Sequence, residues 1–175
     1  EASPLFPGQT PIQVDLVKAL LNSGKPAEAA AVLDRMKALP YEGAADIHRL
    51  FAQTHMQVGL QSIRAADWAA AIRAIERSKE YPESLGTGKP YHPDYRPQDY
   101  LLGWIYEKQG LREKAEAAFR AVLDYTDRAP ARRSAGTGAW FGARALQRAG
   151  RKAEADELLK KAVQPSPEIL EIVNR

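Results

Sequence analysis

Residues 102–119 read LGWIYEKQGLREKAEAAF. Leu102 and Tyr106 stand four apart and so share one stripe of a helix. Gly103 leaves out the side chain where a second helix has to come close. Gly110 is placed to end the first helix, and Ala115 and Phe119 provide the small and large contacts of the next one. The stretch therefore reads as a helix–turn–helix hairpin. Sliding the same template along the chain finds three weaker copies. The first has Leu16, Leu20, Gly24, Ala29 and Leu33; the second has Val58, Gly59, Ala66-Asp67-Trp68, Ala71 and Ile75; the last has Gly142, Leu146, Gly150, Ala155, Leu159, Ala162 and Pro167. The turn markers Gly24, Ala66, Gly110 and Gly150 lie 42, 44 and 40 residues apart.

The run L-G-x-x-Y-x-x-x-G-x-x-x-x-A-x-x-x-F resembles the tetratricopeptide repeat, with Asp99 standing where that repeat has its leading Trp. The spacing exceeds the roughly 34 residues of the standard repeat, so each unit carries an insertion. The resemblance implies an all-α fold: a tetratricopeptide-like array of about four helix–turn–helix repeats forming an α-α superhelix in a single domain over 1–175. The repeats fall at about 10–43, 44–85, 96–129 and 136–167, with a capping helix over 167–175. Residue by residue, helices are expected at 11–23, 26–38, 44–65, 67–80, 98–109, 112–125, 138–149 and 151–164. A last helix starts at Pro167, with Ser166 as its N-cap, and covers the apolar face that the final repeat would expose.

Composition agrees with helix and excludes much else. Of 175 residues, 45% are apolar and 27% charged, and 30 are Ala, the best helix former. The absence of Cys excludes disulfide frameworks, thiolate nucleophiles, iron–sulfur clusters and Cys-ligated zinc. No apolar run is long enough for a membrane span. Glu1 rather than Met opens the chain, as in an excised piece or a mature product; cytoplasm is the default compartment, with nothing in the residues to fix it.

The net charge of +3 comes from the second half of the chain. Between Thr126 and Lys152 the basic residues are Arg128, Arg132, Arg133, Arg144, Arg148, Arg151 and Lys152, against a single acid, Asp127. Such a stretch either meets an anion or is a solvated face between acid-rich helices.

The segment 81–97, YPESLGTGKPYHPDYRP, is a long Pro- and Gly-rich loop. Its Gly86-Thr87-Gly88-Lys89 is not a phosphate-binding loop, because Pro90 follows the lysine and no strand precedes. Lys89, His92 and Asp94 form a candidate loop site, with a capped turn as the plainer reading. The words Leu39-Pro40-Tyr41-Glu42-Gly43-Ala44 and Tyr81 to Pro90, followed by the 100–110 helix, resemble the C-terminal repeat region of large bacterial proteins of the domain-of-unknown-function 5107 family. In that family a β-sandwich region resembling sugar mutarotases precedes the repeats. The resemblance implies a C-terminal portion of a larger bacterial protein and brings no catalytic residue.

No cofactor or metal site is expected. His48 and His55 are seven apart on one helix, roughly 10 Å along its axis, too far to share an ion. His92 and Asp94 have no nucleophile at a recognisable spacing. The paired carboxylates Asp156-Glu157 and Glu113/Glu116 lie beside Lys or Arg on helix faces. The chain is accordingly read as no enzyme by itself.

A groove is the better candidate. By the tetratricopeptide resemblance, the first helix of each repeat lines the concave face. There the lining residues are Lys18, Asn22, Gln53, Met56, Tyr100, Trp104, Lys108, Trp140, Arg144 and Arg148. Aromatics with Arg are hot-spot types, although Trp104 and Trp140 equally suit packing between helices. The two-carboxylate clamp for chaperone tails does not map, since Val14 stands where a clamp lysine is expected. The leading function is a protein-interaction or scaffolding module that binds a protein, a peptide or an adjacent domain of its parent chain. The alternatives are an accessory domain shaping the site of a carbohydrate-active parent enzyme, and an anionic-ligand or nucleic-acid binder, with nucleic acid disfavoured.

Overall fold

The structure is a computed structural model that describes residues 10–38, 44–129 and 135–174. Arg132 and Arg133 of the basic stretch, and the Leu39 to Gly43 words of the bacterial resemblance, lie outside those residues. Among the described residues the fold is all-α, a tetratricopeptide-like array of helix hairpins: α1 (Thr10–Asn22), α2 (Pro26–Leu33), α3 (Ala44–Arg64), α4 (Trp68–Arg77), α5 (Arg96–Lys108), α6 (Arg112–Arg128), α7 (Gly136–Arg148), α8 (Lys152–Leu159) and α9 (Pro167–Val173). The chain forms two compact units, residues 1–91 and 92–175. In the first, α1 packs on α2, α2 on α3 and α3 on α4. In the second, α5 packs on α6 and α7, α6 on α7, and α7 on α8.

Each hairpin turns in the same way. Gly24, Ala66, Gly110 and Gly150 all have a left-handed backbone, with φ of 71°, 56°, 72° and 78°. The residue after each marker donates its N–H to the carbonyl five back: Lys25 to Leu20, Asp67 to Ser62, Leu111 to Tyr106 and Arg151 to Leu146, all at 2.9 Å. The marker itself donates to the carbonyl three back, which completes a Schellman cap and satisfies two carbonyls that the helix end would leave open.

Close approach follows where the template placed it. A Cβ on Gly103 would stand 2.8 Å from Phe119 Cε1, and one on Gly59 would stand 2.7 Å from Ile75 Cγ1. Gly142 does something different. The 40-residue offset between Gly110 and Gly150 makes Ala143 the counterpart of Gly103. Ala143 is fully buried in a cluster with Leu146 and Ala155. Gly142 instead faces α6, where a Cβ would stand 2.5 Å from Thr126 Oγ1.

In the first unit the core joins Val17 of α1, Ala29, Val32 and Leu33 of α2, and Ile47, Leu50 and Phe51 of α3. Leu85 enters this core from a 3₁₀ turn, Glu83–Leu85, inside the Pro-rich segment. The turn is anchored by the Ala38 N–H donating to the Ser84 carbonyl at 2.7 Å, and it ends at Gly86 with φ 71°.

Candidate functional site

Two clefts open along first-of-pair helices. In the first unit a cleft of about 690 Å³ lies between α1 and α3 and includes Lys18, Asn22 and Gln53 in its lining. Its ions are already paired: Lys18 lies 3.9 Å from Asp15, and Arg49 donates to Asp46 at 2.8 Å. Met56 is half-buried and does not line this cleft.

In the second unit a cleft of about 400 Å³ lies between α5 and α7, lined by Tyr100, Trp104, Glu107, Lys108, Arg144, Gln147, Arg148 and Val173. The structure brings Tyr100, Trp104, Lys108, Arg144 and Arg148 together, because both ridges repeat every four residues on helices that pack side by side. Burial grades along the α5 ridge. Tyr100 and Trp104 are 3% and 8% exposed, whereas Lys108 is exposed and holds its ammonium 5.1 Å from the Trp104 ring. Arg148 lies over the Phe119 ring at 4.1 Å and donates to Glu107. Trp140 takes the packing role: it is 7% exposed, meets Phe141 edge-on at 5.1 Å and does not line the cleft. Arg144 stands 5.6 Å above its ring.

The basic stretch is neutralised unevenly. Arg151 donates to Asp127 at 3.0 and 2.8 Å and to Glu154 at 2.7 and 2.6 Å. These bonds hold both carboxyls below their usual range and push the guanidinium up. Arg128 lies 4.0 Å from Asp124, and Arg148 has Glu107. Arg144 has no carboxylate partner among the described residues.

Of the candidate loop residues, Lys89 and His92 are exposed, while Asp94 is half-buried and committed to Arg96. Arg96 is 1% exposed and donates to Asp94 at 2.9 and 2.7 Å, and its guanidinium lies 5.0 Å from the centre of the Tyr125 ring. Sequence reading missed this pair. The available signal was Gly138 and Gly142 on one face of α7: a Cβ on Gly138 would stand 2.6 Å from Asp94 Oδ2 and one on Gly142 3.3 Å from Arg96 Nη1. Those glycines make room for a buried ion pair.

His48 and His55 are structural neighbours of α4 and the segment after it. His48 stacks on Tyr81 at 3.7 Å and shares a hydrogen bond with the Glu80 carbonyl at 2.9 Å. His55 is buried edge-on to Phe51 at 4.4 Å, with Nε2 3.4 Å from Asp34 Oδ1. Burial pushes its pKa below the ordinary 6.5 and outweighs the Asp34 carboxylate, which pulls the other way.

The family model for the tetratricopeptide repeat matches residues 100–127, that is, most of α5 and α6. That pair is a tetratricopeptide repeat. No curated protein matches the sequence. Among solved structures, one titled "Crystal structure of MamA" is 18% identical, covering 99% of this chain and 83% of that chain, with a TM-score of 0.41. A likeness that loose carries no argument about this chain.

Proposed function

We propose that this chain is a helical-repeat protein-interaction module, not itself an enzyme, and that its partner binds over the cleft between α5 and α7. The observation that carries the reading is the joint lining of that cleft by buried aromatic faces and arginines, the residue types that concentrate binding energy. Repeat hairpins spend their apolar faces on their neighbours, which leaves first-helix surfaces free for partners. The bacterial resemblance read from the sequence favours a C-terminal part of a larger protein. The partner is then either a separate chain or an adjacent domain of the same parent. A nucleic-acid reading has less support, because Arg128, Arg148 and Arg151 are engaged by carboxylates.

Selection of displayed octapeptides against the whole chain supplies a ligand for the test. Arg144→Ala combined with Arg148→Ala should weaken the selected peptide by at least about 1 kcal/mol. Lys89→Ala combined with His92→Ala should leave it unchanged by calorimetry. The reverse pattern moves the site to the loop.

A further inference from the structure

Two groups in the α5–α7 cleft are left with unmet hydrogen-bonding capacity. A guanidinium carries five N–H donors. On Arg144 the protein uses Nη1, which donates to Gln147 Oε1 at 3.2 Å. Its Nε is sealed from solvent without an acceptor. The second group is Tyr100, whose ring is wedged against Phe119 at 5.3 Å and Phe141 at 5.5 Å. The side chain is 3% exposed and lines the cleft, and its hydroxyl has no hydrogen-bond partner among the described residues.

Taking a charge out of water is unfavourable unless an opposite charge or hydrogen bonds replace the water. Arg128, Arg148 and Arg151 have carboxylate partners, whereas among the described residues Arg144 has only the Gln147 amide oxygen and the Trp140 ring. We propose that the missing partner is the carboxylate of a Glu or Asp side chain in an extended peptide, held between the Arg144 guanidinium and the Tyr100 hydroxyl. A neighbouring apolar side chain of the peptide rests on Trp104 and Val173. This rests on the reading of the cleft as the partner surface.

Three features favour that occupant. The planar fork of a guanidinium matches one carboxylate with two parallel hydrogen bonds. The wall carries Lys108, Arg144 and Arg148 against Glu107, so the cleft favours an anion overall, while Glu107 repels a chain of closely spaced phosphates. Depth favours a side chain over a peptide C-terminus: Arg144 and Tyr100 are recessed, whereas Lys108 and Arg148 are exposed at the rim. A side chain reaches the recess while its backbone stays at the rim, and a terminus would have to bring the backbone in.

The test uses the octapeptide selected above, synthesised with acetylated and amidated ends, at about 0.15 M salt. The selected sequences should share an acidic residue next to an aliphatic or aromatic one. Replacing that acid by its amide should weaken binding to the native chain about tenfold. The same replacement should have less than about a twofold effect on Arg144→Gln, because the two groups are coupled. Tyr100→Phe, which keeps the ring and its packing, should show an intermediate loss, and melting curves confirm that each variant is folded. Equal losses on the native chain and Arg144→Gln overturn the assignment. So do selected peptides without an acid, binding that requires a free C-terminus, displacement by an oligothymidylate, or a library with no binder at about 1 mM. Gln147→Trp fills the cleft and separates the two readings. If it leaves binding unchanged, the partner surface is elsewhere. If it abolishes binding while the carboxylate coupling is absent, only the carboxylate assignment fails.

Discussion

At Ala66 a side chain occupies a conformation that glycine holds in the other three hairpins. Its φ of 56° is the one positive value at a non-glycine among the described residues. A Cβ there crowds the following carbonyl at a cost of about 1–2 kcal/mol. The position is exposed, so no packing is lost by removing the methyl group. Ala66→Gly should therefore stabilise the protein by about 0.5–1 kcal/mol, the strain relief being partly offset by the added freedom of the unfolded chain. Denaturant titration checks it, and a loss of stability would mean that the turn is not strained.

Gly103 is the converse case. With Phe119 Cε1 2.8 Å from where a Cβ would stand, Gly103→Leu should overpack α5 against α6 and cost about 1–3 kcal/mol. A melting curve like that of the native protein would contradict the contact. Both residues were legible in the sequence because each enforces its geometry locally: one through the backbone of a turn, the other by having no side chain at a fixed place in a repeated template.

At the scale of elements, the stops of the first helix in each pair were easier to read than those of the second. The four Schellman caps fixed where α1, α3, α5 and α7 end. By contrast α5 starts two residues earlier than expected, at Arg96, with Pro97 in its first turn. The second helices α2, α4 and α8 end early, while α6 runs on to Arg128. Ser166, expected to cap α9, makes no side-chain cap bond and starts the helix through its carbonyl, which accepts from the N–H groups of Ile169 and Leu170. Among the described residues a side-chain cap forms at Asp67, which accepts from the Ala70 N–H at 2.9 Å. Asp67→Ala should cost about 1 kcal/mol, read as a lower denaturation midpoint with an unchanged slope. Ser166→Ala provides the comparison and should cost less.

At the scale of the whole molecule, burial sets the response to acid. His55 is enclosed by Phe51 of α3, Asp34 after α2, Arg77 of α4 and Glu80 beyond it. Its folded pKa lies below the ordinary 6.5, so between those two values the unfolded chain binds the proton and the folded chain does not. The part of the stability linked to His55 is therefore full above about pH 6.5 and is lost as the pH drops through that window toward the folded value. His55→Gln should flatten the decline between pH 7 and pH 5 in urea titrations. The Asp127 and Glu154 carboxyls, also depressed, contribute only at lower pH, because carboxylates titrate there. An unchanged decline in the variant would place the acid sensitivity elsewhere.

The sequence by itself determined the helix hairpins and their four turns, since helix periodicity, a left-handed turn residue and a small residue at a close approach all act over a few positions. It also aligned Tyr100, Trp104 and Lys108 on one ridge and Arg144 and Arg148 on another, by the four-residue repeat of a helix face. Only the tertiary structure decided which of these charges are compensated. Glu107 reaches Arg148 across 41 positions of sequence, and Asp127 reaches Arg151 across 24. The same holds for Arg96, buried with Asp94 beneath glycines of a helix more than forty residues later. Ion pairing and desolvation depend on distances between side chains that no local pattern encodes, so among the described arginines of that cluster the fold pairs Arg128, Arg148 and Arg151 with carboxylates and leaves Arg144 without one.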